Sequence, residues 1–71
     1  MRDVIINHEP VELYKILKFE GLVDSGGQAK SVIVNGLVLV NGETETRKRR
    51  KIVTGDTIEF SGEALTIRLE E

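Results

Sequence analysis

The stretch SGGQAKSVIVNGLVLVNG, Ser25 to Gly42, places a helix, a strand and two chain reversals in immediate succession. Ser25 followed by Gln28 is the S-x-x-Q spacing of a capping box, in which a hydroxyl and an amide side chain satisfy the free N–H groups at a helix start. Ala29, Val32 and Ile33 then supply an apolar stripe at helical spacing. Val34 points away from that stripe and is expected to be exposed. Gly36 is placed to close the helix at its C-terminus. Leu37 to Val40 reads as a buried strand, and Asn41-Gly42 as a tight turn, because both positions tolerate positive φ.

Upstream, Val4 to Ile6 is short and β-branched and reads as a strand. Pro10 suits the first turn of a helix, where a missing N–H costs nothing. In that helix Leu13, Ile16 and Leu17 form one apolar face, and Lys15 and Lys18 lie opposite, one turn apart. Gly21 ends it, and Phe19 is expected in the core. Downstream, Ile52-Val53 gives a short strand, and Gly55-Asp56 a turn in which Asp56 binds backbone. A strand follows with Ile58 and Phe60 on one face. The last strand turns Leu65, Ile67 and Leu69 inward and Thr66 and Arg68 outward.

Segregated helices and antiparallel strands give an α+β class: two N-terminal helices packed on a small antiparallel sheet. The expected core is Leu13, Ile16, Leu17, Ala29, Val32, Ile33, Val38, Val40, Ile58, Phe60, Leu65 and Ile67. Residues 1–71 make a single domain, since a chain this short cannot support two cores and buries only about 60% of its unfolded surface.

At 31% charged and 39% hydrophobic the composition is that of an ordinary globular domain. No apolar run is long enough to span a bilayer, and no signal peptide is visible. The absence of cysteine removes disulfides and thiolate metal sites and fits a reducing cytoplasm, the expected location. No cofactor is expected. His8 has no second His or Cys beside it, and SGGQAK lacks the G-x-x-x-x-G-K-[ST] spacing of a nucleotide loop, so an enzyme is not expected.

The formal net charge is -2, yet half of the ten Lys and Arg residues fall in one run, Arg47, Lys48, Arg49, Arg50 and Lys51. Their mutual repulsion is offset either by solvent around a bare loop or by an anionic partner. Gly26 and Gly27 raise a similar choice. Each weakens a helix by about 1 kcal/mol relative to Ala. They serve either close approach of a phosphate to the helix N-terminus or tight helix–helix packing.

The ordered set Leu13, Ser25, Gln28-Ala29, Val32-Ile33, Gly36, VLVNG (Val38 to Gly42) and Gly55-Asp56 resembles the RNA-binding domain of small-subunit ribosomal protein S-four, the alpha-L motif. LKFEGLVDSGGQAK together with VNGETETRKRRK is similar to the YbcJ-like family, small stand-alone bacterial proteins made of this domain alone. The larger class has an Arg directly after the helix-opening Ser. This chain has Gly26 there, as the stand-alone proteins do.

The resemblance implies a monomeric RNA-binding protein that recognises structured RNA through phosphate contacts, associated with the ribosome or with RNA metabolism. The implied RNA-binding residues are Lys15, Lys18, Ser25, Gly26, Gly27, Gln28, Lys30, Asn41, Arg47, Lys48, Arg49, Arg50 and Lys51. In that fold the two helices and the loop after the V-N-G turn border one surface. With only Tyr14, Phe19 and Phe60 as aromatics, a base-stacking platform is not expected. Tyr14 is given no role. A protein-interaction adaptor and a DNA-binding module are the alternatives, since both would use the same charges.

Overall fold

The computed structural model describes residues 2–71. Nine elements follow one another: β1 (Arg2–Ile6), β2 (Val11–Glu12), α1 (Leu13–Phe19), α2 (Gly26–Val34), β3 (Val38–Val40), β4 (Glu43–Thr44), β5 (Lys51–Ile52), β6 (Thr57–Phe60) and β7 (Glu63–Leu69). A five-stranded sheet has the order β1-β7-β6-β3-β4, and β2 pairs with β5 in a separate two-stranded ribbon.

Both helices end in the same way. Gly21 (φ 72°) and Gly36 (φ 77°) adopt the left-handed conformation. Leu22 N–H then donates to the Leu17 carbonyl and Leu37 N–H to the Val32 carbonyl. These are Schellman closures, which satisfy carbonyls that the helix leaves unpaired. At the start of α2, Gln28 N–H donates to Ser25 Oγ at 3.1 Å. The returning bond from the Gln28 side chain goes to Asp24 N–H at 2.8 Å, one residue earlier than in the standard capping box. Asn41 (φ 53°) and Gly42 (φ 83°) form the expected turn, which pairs Val40 with Glu43.

The core is one cluster between the helices and one face of the sheet, with Leu13, Leu17, Ala29, Ile33, Val38, Ile58 and Ile67 fully buried. Ten of the twelve expected core residues are buried, while Val32 and Phe60 are half-buried against the cluster. Val4, Ile6, Val11, Val23 and Ile52 join it as well.

Several expectations are corrected. The sheet is not wholly antiparallel, because β1 runs parallel to β7, from Arg2 opposite Leu65 to Ile6 opposite Leu69. Pro10 does not open α1. Val11 and Glu12 pair instead with Ile52 and Lys51, a contact between segments some forty residues apart, which no local signal carries. Phe19 is 69% exposed rather than buried. It lies two residues beyond Leu17, and 100° per residue carries it round to the far side of the helix. Leu37 is exposed too. Its N–H belongs to the helix closure, so the strand begins one residue later. Leu69, the last residue of β7, is also exposed, whereas the expected exposure of Val34 is observed.

Candidate nucleic-acid interface

After the Asn41-Gly42 turn the chain leaves the sheet and crosses the start of α1. Helix α1 has no side-chain cap. Its first N–H groups are satisfied by the basic run itself: Leu13 N–H donates to the Arg50 carbonyl at 2.9 Å and Tyr14 N–H to the Lys48 carbonyl at 3.2 Å. The backbone of the basic loop is therefore docked on the helix that carries Lys15 and Lys18.

The cations are not left to repel one another. Glu45, only 6% exposed, accepts four hydrogen bonds from the run. Arg47 donates through its backbone N–H (2.9 Å), Nε (3.1 Å) and Nη2 (3.0 Å), and Arg50 through Nη1 (2.9 Å). The Arg47 side-chain bonds hold the Glu45 carboxyl at a pKa of about 2, against desolvation that pushes it up, with Arg50 helping to lower it. Glu12, half-buried, pairs with Lys15 and Arg49, each at 3.2 Å. Its pKa is lowered, chiefly by the Lys15 hydrogen bond and then by Arg49. To bare solvent and an anionic partner the fold thus adds a third way of offsetting the repulsion, the chain's own carboxylates.

Tyr14 organises the rest. Lys30 Nζ lies 4.6 Å from its ring centroid, Arg49 Cζ 5.4 Å and Lys15 Nζ 6.0 Å. Cations at this range are attracted by the ring quadrupole. A methyl group at Gly26 would sit 3.9 Å from Tyr14 Cε2 and 4.0 Å from Lys18 Cδ. Tyr14 therefore joins α1, the opening of α2 and the loop into one surface. Lys18, Lys30, Lys48 and Lys51 form no ion pair among the described residues. An open recess in this surface is lined by Arg47, Arg49, Arg50 and Lys51.

Most of the expected site residues are brought together in this way. Asn41 is engaged elsewhere. Its side-chain oxygen accepts from Thr57 N–H at 2.9 Å, and its amide nitrogen donates to Asp56 Oδ1 at 3.0 Å. Asp56 Oδ2 also accepts from Val53 N–H, the backbone bond expected of it. The N-G and G-D elements of the motif are thus latched to each other. Elsewhere, the exposed His8 ring lies 2.8 Å from Asn7 Oδ1, and Glu9 accepts from Thr54 N–H.

Three residues of this surface escaped the sequence reading: Tyr14, Glu12 and Glu45. For Tyr14 a signal existed, since it stands beside Lys15 and one turn before Lys18. The two glutamates act through contacts that their own positions do not announce.

The S4 domain family model matches residues 4–68. The chain is 50% identical over 60 residues to the Escherichia coli (strain K12) protein named "Putative RNA-binding protein YbcJ", covering 84% of this chain and 86% of that one. It is 37% identical over 59 residues to the Bacillus subtilis (strain 168) "Probable ribosome maturation protein RlbA", covering 83% of each. The solution structure of E. coli YbcJ, described as revealing an alpha-L motif involved in RNA binding, superposes with a TM-score of 0.71 at 46% identity over 94% of this chain and 86% of that one. The crystal structure of ribosomal protein S4e from Thermoplasma acidophilum gives 0.66 at 32% identity, over 82% of this chain and 31% of that one. The chain belongs to the S4 domain family.

Proposed function

We propose that this S4-domain protein binds structured RNA through its phosphates, with the surface around Tyr14 as the contact face. One observation carries the reading: Lys15, Lys30 and Arg49 converge on the Tyr14 ring, and Arg47, Arg49, Arg50 and Lys51 line one recess on the same surface. Glu12 and Glu45, the carboxylates paired with these side chains, offset only part of their charge, so the cluster stays positive. Arginine forks suit phosphate geometry, and folded RNA is read chiefly by shape and backbone. The names of the relatives support the same reading, and the ribosome-maturation protein among them supports an association with the ribosome or with RNA metabolism.

The opening of α2 is a second phosphate contact in this reading. A Cβ at Gly26 or Gly27 would meet its neighbours only at ordinary van der Waals distance, so packing does not require these glycines. Ser25 and Gln28 are engaged in the cap, which leaves the N–H groups of Gly26 and Gly27 as the open donors. Tyr14 is covered by cations and acts as their support, not as a base-stacking platform. A single chain carries the whole face, so the protein works as a monomer. Its role is binding without catalysis, in the cytoplasm.

The test is capture from a cell extract with and without RNase, followed by competition. Captured material should be lost on RNase treatment, and folded RNA should compete far better than duplex DNA of equal length. Partners that survive RNase would establish a protein adaptor. Equal competition by duplex DNA would establish a DNA-binding module.

A further inference from the structure

Glu45 is the one buried charged side chain among the described residues. Taking a carboxylate out of water is expensive, and replacing a buried ion pair by apolar groups is often neutral or stabilising. Stability alone is therefore a poor reason for a domain this small to bury an acid. What the arrangement does fix is direction. A guanidinium carries five N–H donors in one plane. Arg47 engages two of them on Glu45 and Arg50 engages one. The others remain available, on planes that the shared carboxylate holds in place.

Arg49 is held from the opposite side. Glu12 accepts one of its N–H groups, and the Tyr14 ring supports its guanidinium at 5.4 Å. These three arginines line one recess with Lys51, which forms no ion pair among the described residues. A pre-ordered cluster avoids the side-chain entropy that free arginines lose on binding. Its chemistry matches a single tetrahedral oxyanion with several acceptor oxygens.

We propose that the recess between Arg47, Arg49, Arg50 and Lys51 is a seat for one phosphate group of the RNA backbone, and that buried Glu45 is the positioning residue that builds it. The proposal rests on the RNA-binding reading and adds a location and a requirement: an acid is needed to bind an anion. Coulomb's law alone gives the opposite sign, since removing a negative charge beside an anion site should tighten binding. Glu12 supplies the contrast. Its loss also removes a negative charge, but Arg49 keeps its second hold on Tyr14.

The experiment titrates inorganic phosphate into the full chain, following backbone amides and arginine Nε–H signals by NMR, for wild type, Glu45→Gln and Glu12→Gln. In wild type the signals of Arg47 to Lys51 should shift. Glu45→Gln should weaken phosphate binding at least fivefold despite its added positive charge, and Glu12→Gln should bind equally or more tightly. A folded Glu45→Gln that binds phosphate as well as wild type overturns the proposal, as does a wild-type response that misses the loop.

If Glu45→Gln does not fold, Arg47→Lys decides, because it keeps the charge on an exposed side chain and removes the fork. At least threefold weaker binding supports the seat, and unchanged binding overturns it. A structured RNA hairpin is titrated in parallel. Wild type that seats phosphate but binds no RNA sinks the functional reading and leaves the seat. Wild type that binds RNA no more tightly than a folded Glu45→Gln sinks the seat and leaves the function.

Discussion

The molecule has two electrical halves. The surface around Tyr14 gathers Lys15, Lys30, Arg47, Arg49, Arg50 and Lys51 with their paired carboxylates Glu12 and Glu45, a net of +4, while the rest of the chain holds four cations and ten carboxylates, a net of -6. The halves also pair their charges differently. On the acidic side, Arg2 meets Glu20 at 3.7 Å and Arg68 meets Asp3 at 3.0 Å, with Arg2, Arg68 and Asp3 exposed and Glu20 half-buried. Such pairs contribute little, typically below about 1 kcal/mol. On the basic side, Glu45 is buried under Arg47 and Arg50, and the loop it anchors supplies the carbonyls that cap α1. The difference teaches that the basic side is built as well as charged. An acidic remainder repels polyanions, so the proposed RNA contact would be confined to one face.

The largest effect would show that both halves stand on one core. Ile33 is fully buried in it. Ile33→Ala should cost on the order of 2–5 kcal/mol by deleting buried methyl groups and leaving a cavity. Chemical denaturation should show a single transition moved to much lower denaturant. Survival of either half as a folded unit would break the comparison.

A smaller effect separates the two kinds of carboxylate. The Glu45 pKa is depressed from 4.5 to about 2. Its native pairing therefore stabilises the fold fully above about pH 5, and that contribution is lost as pH falls from 4.5 towards 2. Glu45→Ala should lower stability at neutral pH by about 1–3 kcal/mol, because the half-buried Arg50 guanidinium loses its carboxylate and the loop that caps α1 loses its anchor. Wild type and variant should converge when denaturation is repeated near pH 2. A difference that persists undiminished in acid would show that the carboxylate charge is not what anchors the loop.

What the sequence made legible follows the same division. The Ser25 cap, the Gly36 closure, the Asn41-Gly42 turn and the alternation through Ile67 are local, since each is decided by residues within a few positions of one another. The pairing of Val11 with Ile52, the parallel alignment of β1 with β7 and the exposure of Phe19 depend on where distant segments meet. The site divides likewise. The run Arg47 to Lys51 declares itself by composition, and its placement beside Lys15, Lys18 and Lys30 came from the family resemblance. Glu45 reads as one more surface acid until the fold buries it. Asn41, singled out by its motif, turns out to latch the β3–β4 turn to Asp56.

The most direct test is the salt dependence of binding to a structured RNA hairpin, compared across two charge-matched double variants. Lys48→Gln/Lys51→Gln removes two cations that form no ion pair on the basic face, so no carboxylate partner is released there. Arg2→Gln/Arg68→Gln removes two cations from the acidic side. If the face around Tyr14 is the contact surface, the first variant should bind more weakly at every salt concentration. Its log–log slope should fall by about 0.7–0.9 for each phosphate it no longer neutralises, while the second variant keeps the wild-type slope. Equal weakening in both variants would mean that only bulk charge matters, and an unchanged slope in Lys48→Gln/Lys51→Gln would mean that the basic loop does not touch RNA.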